Sequence, residues 1–377
     1  MGTPQAWRRV AACLCFVLGA CGGPASGSTP VPAASAPAPS AQTSAPTLDA
    51  LVAAARQEGS LTIAWSDGPL GGAEGIPRLV EGFNQHYGLN LNAQFTPGPS
   101  MPEVAARVAQ EYQAGRTSST DAVVSYGNQI LALTRVDALA PEDWTSWAPN
   151  IQDPRLVAEE GRAVVVQSST PGITYNSARV TGADVPTRLQ DLLKPQYKGR
   201  IASTPFAASF DQLAAPELWG APRTVEYVTQ LADQVAGLIR CPETQRIASG
   251  EFDVFAIDCN QGNALKAKSR GAPIEFVVAS DAPLFYLMYV AIPRRAPHPH
   301  AARLWVNYLL SREAQDMAYE LTFQDVHLLP GSKTAGLIEK MQAAGTRFTV
   351  GDTDFYRWND ERELARIQAD LQQILRH

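Results

Sequence analysis

The stretch Ser249-Gly250-Glu251-Phe252-Asp253-Val254-Phe255-Ala256-Ile257-Asp258-Cys259-Asn260-Gln261-Gly262-Asn263-Ala264-Leu265 reads as one turn of an α/β sheet. Gly250 closes a helix-like run, residues 252–257 alternate as a buried strand does, and Asp258, Cys259, Asn260 and Gln261 form a polar tip ahead of the next helix. Short polar side chains between the carboxyl end of a strand and the start of a helix are where open α/β sheets hold ligands. Unpaired backbone N–H groups and the helix dipole converge there.

Upstream the same alternation recurs. The pattern predicts a helix through Leu48, Leu51, Val52 and Ala55 closed by Gly59, a strand over 61–65, and a glycine-rich loop from Ser66 and Asp67 to Gly75. A helix through Leu79, Val80 and Phe83 ends near Gly88, followed by a strand over 89–95, a helix over 102–114 and a strand over 121–125. This β-α-β-α-β run is the unit of a doubly wound sheet. Farther along, strands over 163–167 and 172–175 flank Ser168-Ser169-Thr170-Pro171, a short helix covers 186–193, a strand 198–202 and a helix 224–235. Strands over 274–278 and 284–292 follow the quoted stretch, and amphipathic helices occupy 301–310, 313–321 and 361–375.

A chain of 377 residues, 45% hydrophobic and 18% charged, can bury two modest cores. The net charge is −6, and no basic stripe interrupts it, which argues against a nucleic-acid partner. Arg8 and Arg9 precede an apolar run, Val10 to Leu18, that is too short to span a bilayer but suits a signal-peptide core. Leu18-Gly19-Ala20-Cys21 follows and resembles the bacterial lipobox. The expectation is a signal over 1–20 and lipid on Cys21, so that the exported protein is anchored at the outer face of the bacterial cell membrane or in the periplasm. Residues 21–46, almost wholly Gly, Pro, Ala, Ser and Thr after Cys21, cannot pack a core and read as a tether.

Cysteine usage fits export. Cys13 and Cys15 leave with the signal and Cys21 takes lipid, so one pair remains, Cys241 and Cys259. In an oxidising compartment that pair is expected to form a disulfide at the base of the Asp258 tip.

Several further segments resemble one family. Leu192-Leu193-Lys194-Pro195-Gln196-Tyr197-Lys198-Gly199-Arg200-Ile201-Ala202, Gly172-Ile173-Thr174-Tyr175-Asn176, and Ala296-Pro297-His298-Pro299-His300-Ala301-Ala302 with Leu309-Leu310-Ser311-Arg312-Glu313-Ala314-Gln315 are similar to the extracellular solute-binding proteins of ABC importers. Within that family the likeness is to the branch of ferric-iron, thiamine and polyamine binders, and it spans residues 48–330. It implies the type 2 periplasmic binding fold, an α/β protein of two doubly wound lobes joined by crossing strands with a ligand cleft between them. One lobe is expected from 48–167 and 277–312, the other from 168–276 and 313–377, with crossings near Ser168 and Ala279. The expected partners are a small-molecule ligand and an ABC importer permease, with a membrane reached through the lipid anchor, no cofactor, no catalytic step and a monomeric chain.

In ferric-binding members the segment similar to 249–262 carries adjacent tyrosines; here Asn260 and Gln261 stand in those places. Neutral amides replace phenolate poorly toward iron(III), so the expected site is not metallic. Ferric iron remains an alternative through the oxygens of Asp67, Tyr126, Asp258 and Tyr286. The expected ligand set is Ser66, Asp67, Ser125, Tyr126, Asn128, Thr170, Phe206, Asp258, Asn260, Gln261 and Tyr286. These donors, acceptors and carboxylates suit a small polar solute, and one carrying an amine would bridge Asp67 and Asp258 on opposite walls. Each residue has a plainer alternative as a helix cap or turn residue.

A sugar-binding protein is a second alternative, with Trp65, Tyr126, Phe206 and Tyr286 as stacking platforms. A surface hydrolase or adhesin is a third, of another class. Against a hydrolase, His86, His298, His300, His327 and His377 are scattered, and neither a Gly-x-Ser-x-Gly elbow nor a His-Glu-x-x-His motif occurs. His298-Pro299-His300 is expected as a turn before a helix.

Overall fold

A computed structural model describes residues 47–207, 209–358 and 361–376; the expected signal over 1–20, the expected lipidation of Cys21 and the expected tether over 21–46 lie outside the described residues. Helix α1 (Leu48–Glu58) starts where Thr47 Oγ1 accepts the Ala50 amide at 3.2 Å. β1 (Ser60–Ser66), α2 (Gly72–Tyr87), β2 (Asn92–Gly98), α3 (Met101–Gln113), β3 (Ala122–Tyr126) and α4 (Gly127–Arg135) complete the expected alternation. β1 lies parallel between β2 and β3 with Leu61, Ile63, Ala64 and Trp65 all buried, as a strand covered by helices on both faces must be. The β2 strand begins later than its apolar residues suggest. After the left-handed Gly88, the Leu89 amide turns back to the Asn84 carbonyl at 2.8 Å, so Leu89 and Leu91 pack beneath the helix end rather than in the strand.

A hairpin of β4 (Val157–Ala158) and β5 (Ala163–Ser169) closes one edge of this sheet, and after only Thr170 and Pro171 the chain enters a second one. There β6 (Gly172–Asn176), β7 (Ile201–Ser203), α5 (Phe210–Leu213), α6 (Gly220–Ala232), β8 (Val235–Leu238), α7 (Gln245–Ala248), β9 (Val254–Asp258), α8 (Gln261–Ser269) and β10 (Ile274–Val277) follow in order. The chain then returns through β11 (Leu284–Ala291), α9 (Pro299–Leu309), α10 (Arg312–Thr322), α11 (Lys333–Ala343) and β12 (Thr349–Gly351), passes a 3-10 turn at Phe355–Trp358, and ends in α12 (Glu361–Leu375). Among the described residues the first sheet has strand order β2-β1-β3-β11-β5-β4 with β12 beside β11, and the second β10-β6-β9-β7-β8. Each sheet has its own buried apolar cluster.

The His298-Pro299-His300 turn does precede a helix. Its histidines pair with acids from the first sheet's side, His298 Nδ1 with Asp121 at 2.8 Å and His300 Nδ1 with Glu58 at 2.7 Å, which fastens the start of α9.

The C-terminal segment departs from expectation. Residues 313–377 are expected in the second lobe, yet Ala314, Ala318, Val326 and Ile338 lie in the first sheet's core, and β12 pairs with β11 in that sheet. The cause is local: only Leu310 and Ser311 separate α9 from α10, and so short a connection keeps α10 beside α9 and α2. The chain reaches the second core only at α12, where Ile367, Leu371 and Leu375 pack. Ser168 and Ser169 belong to β5; the crossings are Thr170–Pro171, 278–283 and, unforeseen, the segment that follows Gly351.

Candidate ligand-binding site

The two sheets meet at strand ends. Ser169 ends β5 opposite Tyr286 of β11, Gly172 opens β6 opposite Asp258 at the end of β9, and two residues separate Ser169 from Gly172. Ser66 and Tyr126, at the ends of β1 and β3, share the first edge, and Ser203, at the end of β7, lies on the second, on the strand paired with β9.

Asp258 is fully buried. Ile257, immediately before it, has φ 46°, rare for a β-branched residue, where the β6–β9 register shifts between Gly172 and Thr174. That kink aims the carboxyl at Thr174, whose Oγ1 donates to Oδ2 at 2.6 Å, while Oδ1 has no hydrogen-bond partner of ordinary geometry. Burial pushes the carboxyl up to about 7, against the Thr174 hydroxyl and the Asn260 and Cys259 amides, which favour the charged form. The Cys241–Cys259 disulfide is present, with Cα atoms 5.7 Å apart, and ties the loop after β8 to this tip.

The amides of the tip are engaged within the protein. Asn260 caps α8, its Oδ1 accepting from the Gly262 amide at 2.9 Å and from Gln324 Nε2 at 2.8 Å. Gln261 Oε1 accepts the Thr170 amide at 2.8 Å, and its Nε2 donates to the Phe323 carbonyl at 3.4 Å. Thr170 Oγ1 donates to the Leu284 carbonyl at 2.7 Å. Residue 262 has to be glycine here: a Cβ would stand 2.1 Å from the Thr322 carbonyl oxygen. Asn260, Gln261 and Thr170 thus fasten the second sheet's tip to the crossing and to the end of α10.

The first sheet supplies aromatic groups. The rings of Tyr126 and Tyr286 stand 5.8 Å apart at 72°, and burial holds both phenols well above their ordinary range. Ser125 is buried with Oγ unpartnered, and Asn128 is half-buried on the first turn of α4. Phe206 is half-buried on the loop between β7 and α5, where its carbonyl accepts from Thr204 Oγ1 at 2.7 Å.

Asp67 is not where the sequence put it. It is exposed, and its Oδ1 accepts the Ala73 amide at 2.8 Å, so it serves the start of α2 rather than the wall facing Asp258. Ser66, next to it, is half-buried.

Sequence reasoning missed Ser169, Ser203, Asp211, Gln212 and Tyr356, all buried near these strand ends. Ser169 Oγ, Ser203 Oγ, Asp211 Oδ1 and Gln212 Oε1 are also without a hydrogen-bond partner. The available signal was the run Phe210-Asp211-Gln212-Leu213-Ala214-Ala215, in which an acid sits inside an apolar stretch. A separate cavity of about 540 Å³ opens beside the β4–β5 turn, lined by Arg155, Glu159, Leu287, Tyr289, Asp352 and Arg357 among others. It includes none of the sequence-predicted residues.

A family model described as bacterial extracellular solute-binding protein matches residues 128–359. The Fe(3+)-binding periplasmic protein of Serratia marcescens is 27% identical over 156 residues, 41% of this chain and 44% of that protein. The chain thus spans less than half the length of the curated relatives it matches. Among solved structures, the substrate-binding protein of an ABC transporter from Agrobacterium tumefaciens superposes with a TM-score of 0.67 at 16% identity, covering 86% of this chain and 97% of that one. The periplasmic binding protein AfuA from Actinobacillus pleuropneumoniae, with fructose-6-phosphate bound, gives 0.66 at 20% identity, covering 84% and 99%. These structures share the type 2 periplasmic binding fold with this chain. The family match covers well over half of the sequence, and the chain belongs to the bacterial extracellular solute-binding proteins.

Proposed function

We propose that this protein is the solute-binding component of an ABC importer, exported, lipid-anchored through Cys21 and monomeric. In this reading it captures a small polar solute bearing an amine in the space between its two sheets and delivers it to a membrane permease, with no catalytic step and no cofactor. The observation that carries the reading is Asp258: a fully buried carboxyl at a strand end, one of whose oxygens has no hydrogen-bond partner of ordinary geometry. Buried polar groups are nearly always hydrogen-bonded, and an exception at the carboxyl end of an α/β strand asks for a ligand. Ser125, Ser169 and Ser203, buried with unpartnered hydroxyls near the same edges, supply neutral donors and acceptors beside it. An anionic solute would leave the carboxyl uncompensated, whereas a cationic nitrogen would pair with it.

A thermal-shift screen of polyamines, thiamine, amino acids, sugars, sugar phosphates and ferric citrate tests this. A ligand at about 100 times its dissociation constant adds about 2.7 kcal/mol of stability. The expected hit carries an amine, and Asp258→Asn then weakens its binding by more than about tenfold while Asn260→Ala weakens it less. A best ligand that is an anion, or unaltered binding by Asp258→Asn, overturns the reading.

Ferric iron is the second reading, favoured by the Serratia relative's name and by the oxygens of Tyr126, Tyr286 and Asp211. The phenols must ionise to bind iron(III), and burial opposes that. An iron–phenolate absorption band on adding ferric citrate would decide for iron.

A further inference from the structure

Asp211 is a second carboxyl at the inter-sheet space, and the family match does not extend to all of what holds it. It lies on α5, after the end of β7, and is 6% exposed. Its Oδ2 accepts from Gln368 Nε2 of α12 at 2.6 Å, and its Oδ1 has no partner of ordinary geometry. Three phenols lie near enough to feel its charge: Tyr126 from β3, Tyr286 from β11 and Tyr356 from the 3-10 turn before α12. Gln212, the next residue, donates to the Tyr356 hydroxyl at 2.7 Å and keeps an unpartnered Oε1. Residue 127 must be small for this nest to close, since a Cβ there would stand 2.9 Å from the Asp352 carbonyl oxygen and 3.0 Å from the Tyr356 ring.

We propose that Asp211 is the recognition carboxylate of a subsite for a cationic nitrogen centre of the solute, walled by Tyr126, Tyr286 and Tyr356, with Gln368 as its positioning residue. The inference rests on the solute-binding reading above and adds where the charge is read. A cation between aromatic faces and a buried carboxylate gains from both the ring quadrupoles and the ion pair. A neutral sugar would satisfy the Asp211 oxygen without using the rings' preference, and an anion would be repelled. The family match ends at residue 359 and α12 begins at Glu361, so the helix that fixes Asp211 lies beyond the matched segment. Charge preference in this chain is thereby set partly by a C-terminal element.

Asp211 is also the group in this nest that changes charge near neutrality. Burial raises its carboxyl to about 6, opposed by the Gln368 amide and the backbone N–H groups of Gln212 and Asp211. Burial pushes the three phenols upward, so they stay neutral in this range. On the helices packed against α5, Arg223 and Glu226 of α6 and Glu363, Arg366 and Asp370 of α12 are exposed, and Tyr227 of α6 is occupied by the Leu189 carbonyl at 3.0 Å.

The test titrates the full chain with putrescine and spermidine, with glucose and inorganic phosphate as neutral and anionic counterparts, between about pH 7.5 and about pH 5. The expected result is amine binding that weakens as the pH falls through about 7, where Asp258 gains its proton, and again through about 6, and an Asp211→Asn variant that binds at least about tenfold more weakly at the upper pH and lacks the lower step. In Gln368→Met the donor to Oδ2 is gone, the charged form loses support, and the lower pH midpoint of amine binding moves upward. A merely structural tie between α5 and α12 would survive in Asp211→Asn, whose carbonyl oxygen still accepts from Gln368, and binding within about twofold of the parent overturns the proposal. So does a chain that takes glucose or phosphate and neither amine, an outcome that leaves solute capture standing. If Asp211→Asn does not fold, an unmoved midpoint in Gln368→Met overturns the proposal in its place.

Discussion

The turn from β1 into α2 and the turn from β9 into α8 share a plan, a buried strand followed by an aspartate shortly before a helix, and come out opposite. Asp67 is exposed, and its Oδ1 accepts the Ala73 amide. Asp258 is fully buried, accepts the Thr174 hydroxyl on Oδ2 and has no hydrogen-bond partner of ordinary geometry on Oδ1. The difference lies in who caps the helix. At α8 that task falls to Asn260, whose Oδ1 accepts the Gly262 amide, so Asp258 is not needed there. At α2 the N-cap position is Gly71, which has no side chain to offer, and Asp67 reaches forward to serve the helix start instead. An acid near a helix start is thus a cap where no better cap is at hand, and available for recognition where another residue has taken the role.

The largest effect that sharpens this contrast is a pH dependence. The folded protein keeps the Asp258 proton up to about pH 7, whereas the unfolded chain releases it near the ordinary aspartate value of 3.8. Between those values the folded state binds more protons, so the contribution of Asp258 to stability is full at the acid end and is lost as the pH rises through about 7. The span corresponds to about 4 kcal/mol. Chemical denaturation of the unliganded parent and of Asp258→Asn across this range should show the difference between the two changing by that order. Parallel curves would mean that the carboxyl is ionised at little cost and that the contrast with Asp67 is weaker than the geometry suggests.

The disulfide comes next. Cys241–Cys259 closes a loop with a sequence separation of 18 at the second turn only, and opening such a loop costs about 3 kcal/mol on the chain-entropy estimate. Cys241→Ala with Cys259→Ala should lower stability by that order and loosen solute binding through the Asp258 tip. Loss of stability with unchanged solute affinity would separate the staple from the site.

Much of the fold was legible because it rests on periodicity. The β-α-β-α-β start, the quoted strand and tip, and β11 were all visible as apolar alternation ended by glycine or polar residues. What escaped was short or depended on distant partners. β12 has three residues and no period of its own, and becomes a strand only by lying along β11. α5 has four residues, so the buried side of Asp211 could not be read from helical spacing. At the tip the sequence exposed four polar residues but not their division of labour. That Asn260 and Gln261 bond to Gln324, Phe323 and Thr170 follows from the path of α10 and the crossing, which no local pattern encodes. Placing 313–377 with the second lobe failed as far as β12 for the same reason, since the place of α10 is decided by packing against α2 and α9 and that of β12 by pairing with β11.

The smallest expected effect is at Asp67, and it is the one most able to break the comparison. The carboxylate is exposed and its Oδ1 serves a backbone amide in the first turn of α2, so Asp67→Ala removes a cap and a favourable charge near a helix start. Such losses cost about 1 kcal/mol, a modest drop in the denaturation midpoint. Solute affinity should change by less than about twofold, because no buried charge is uncovered and water takes the place of the carboxylate. Asn at this position should restore most of the stability, since its side-chain oxygen accepts the same amide. If Asp67→Ala instead weakens amine binding as strongly as Asp258→Asn, the loop at 67–72 turns toward the solute when the sheets close on it. The two turns would then be a matched pair of recognition carboxylates, as a bridging amine requires, and exposure in the unliganded protein would be the mark of a part that moves.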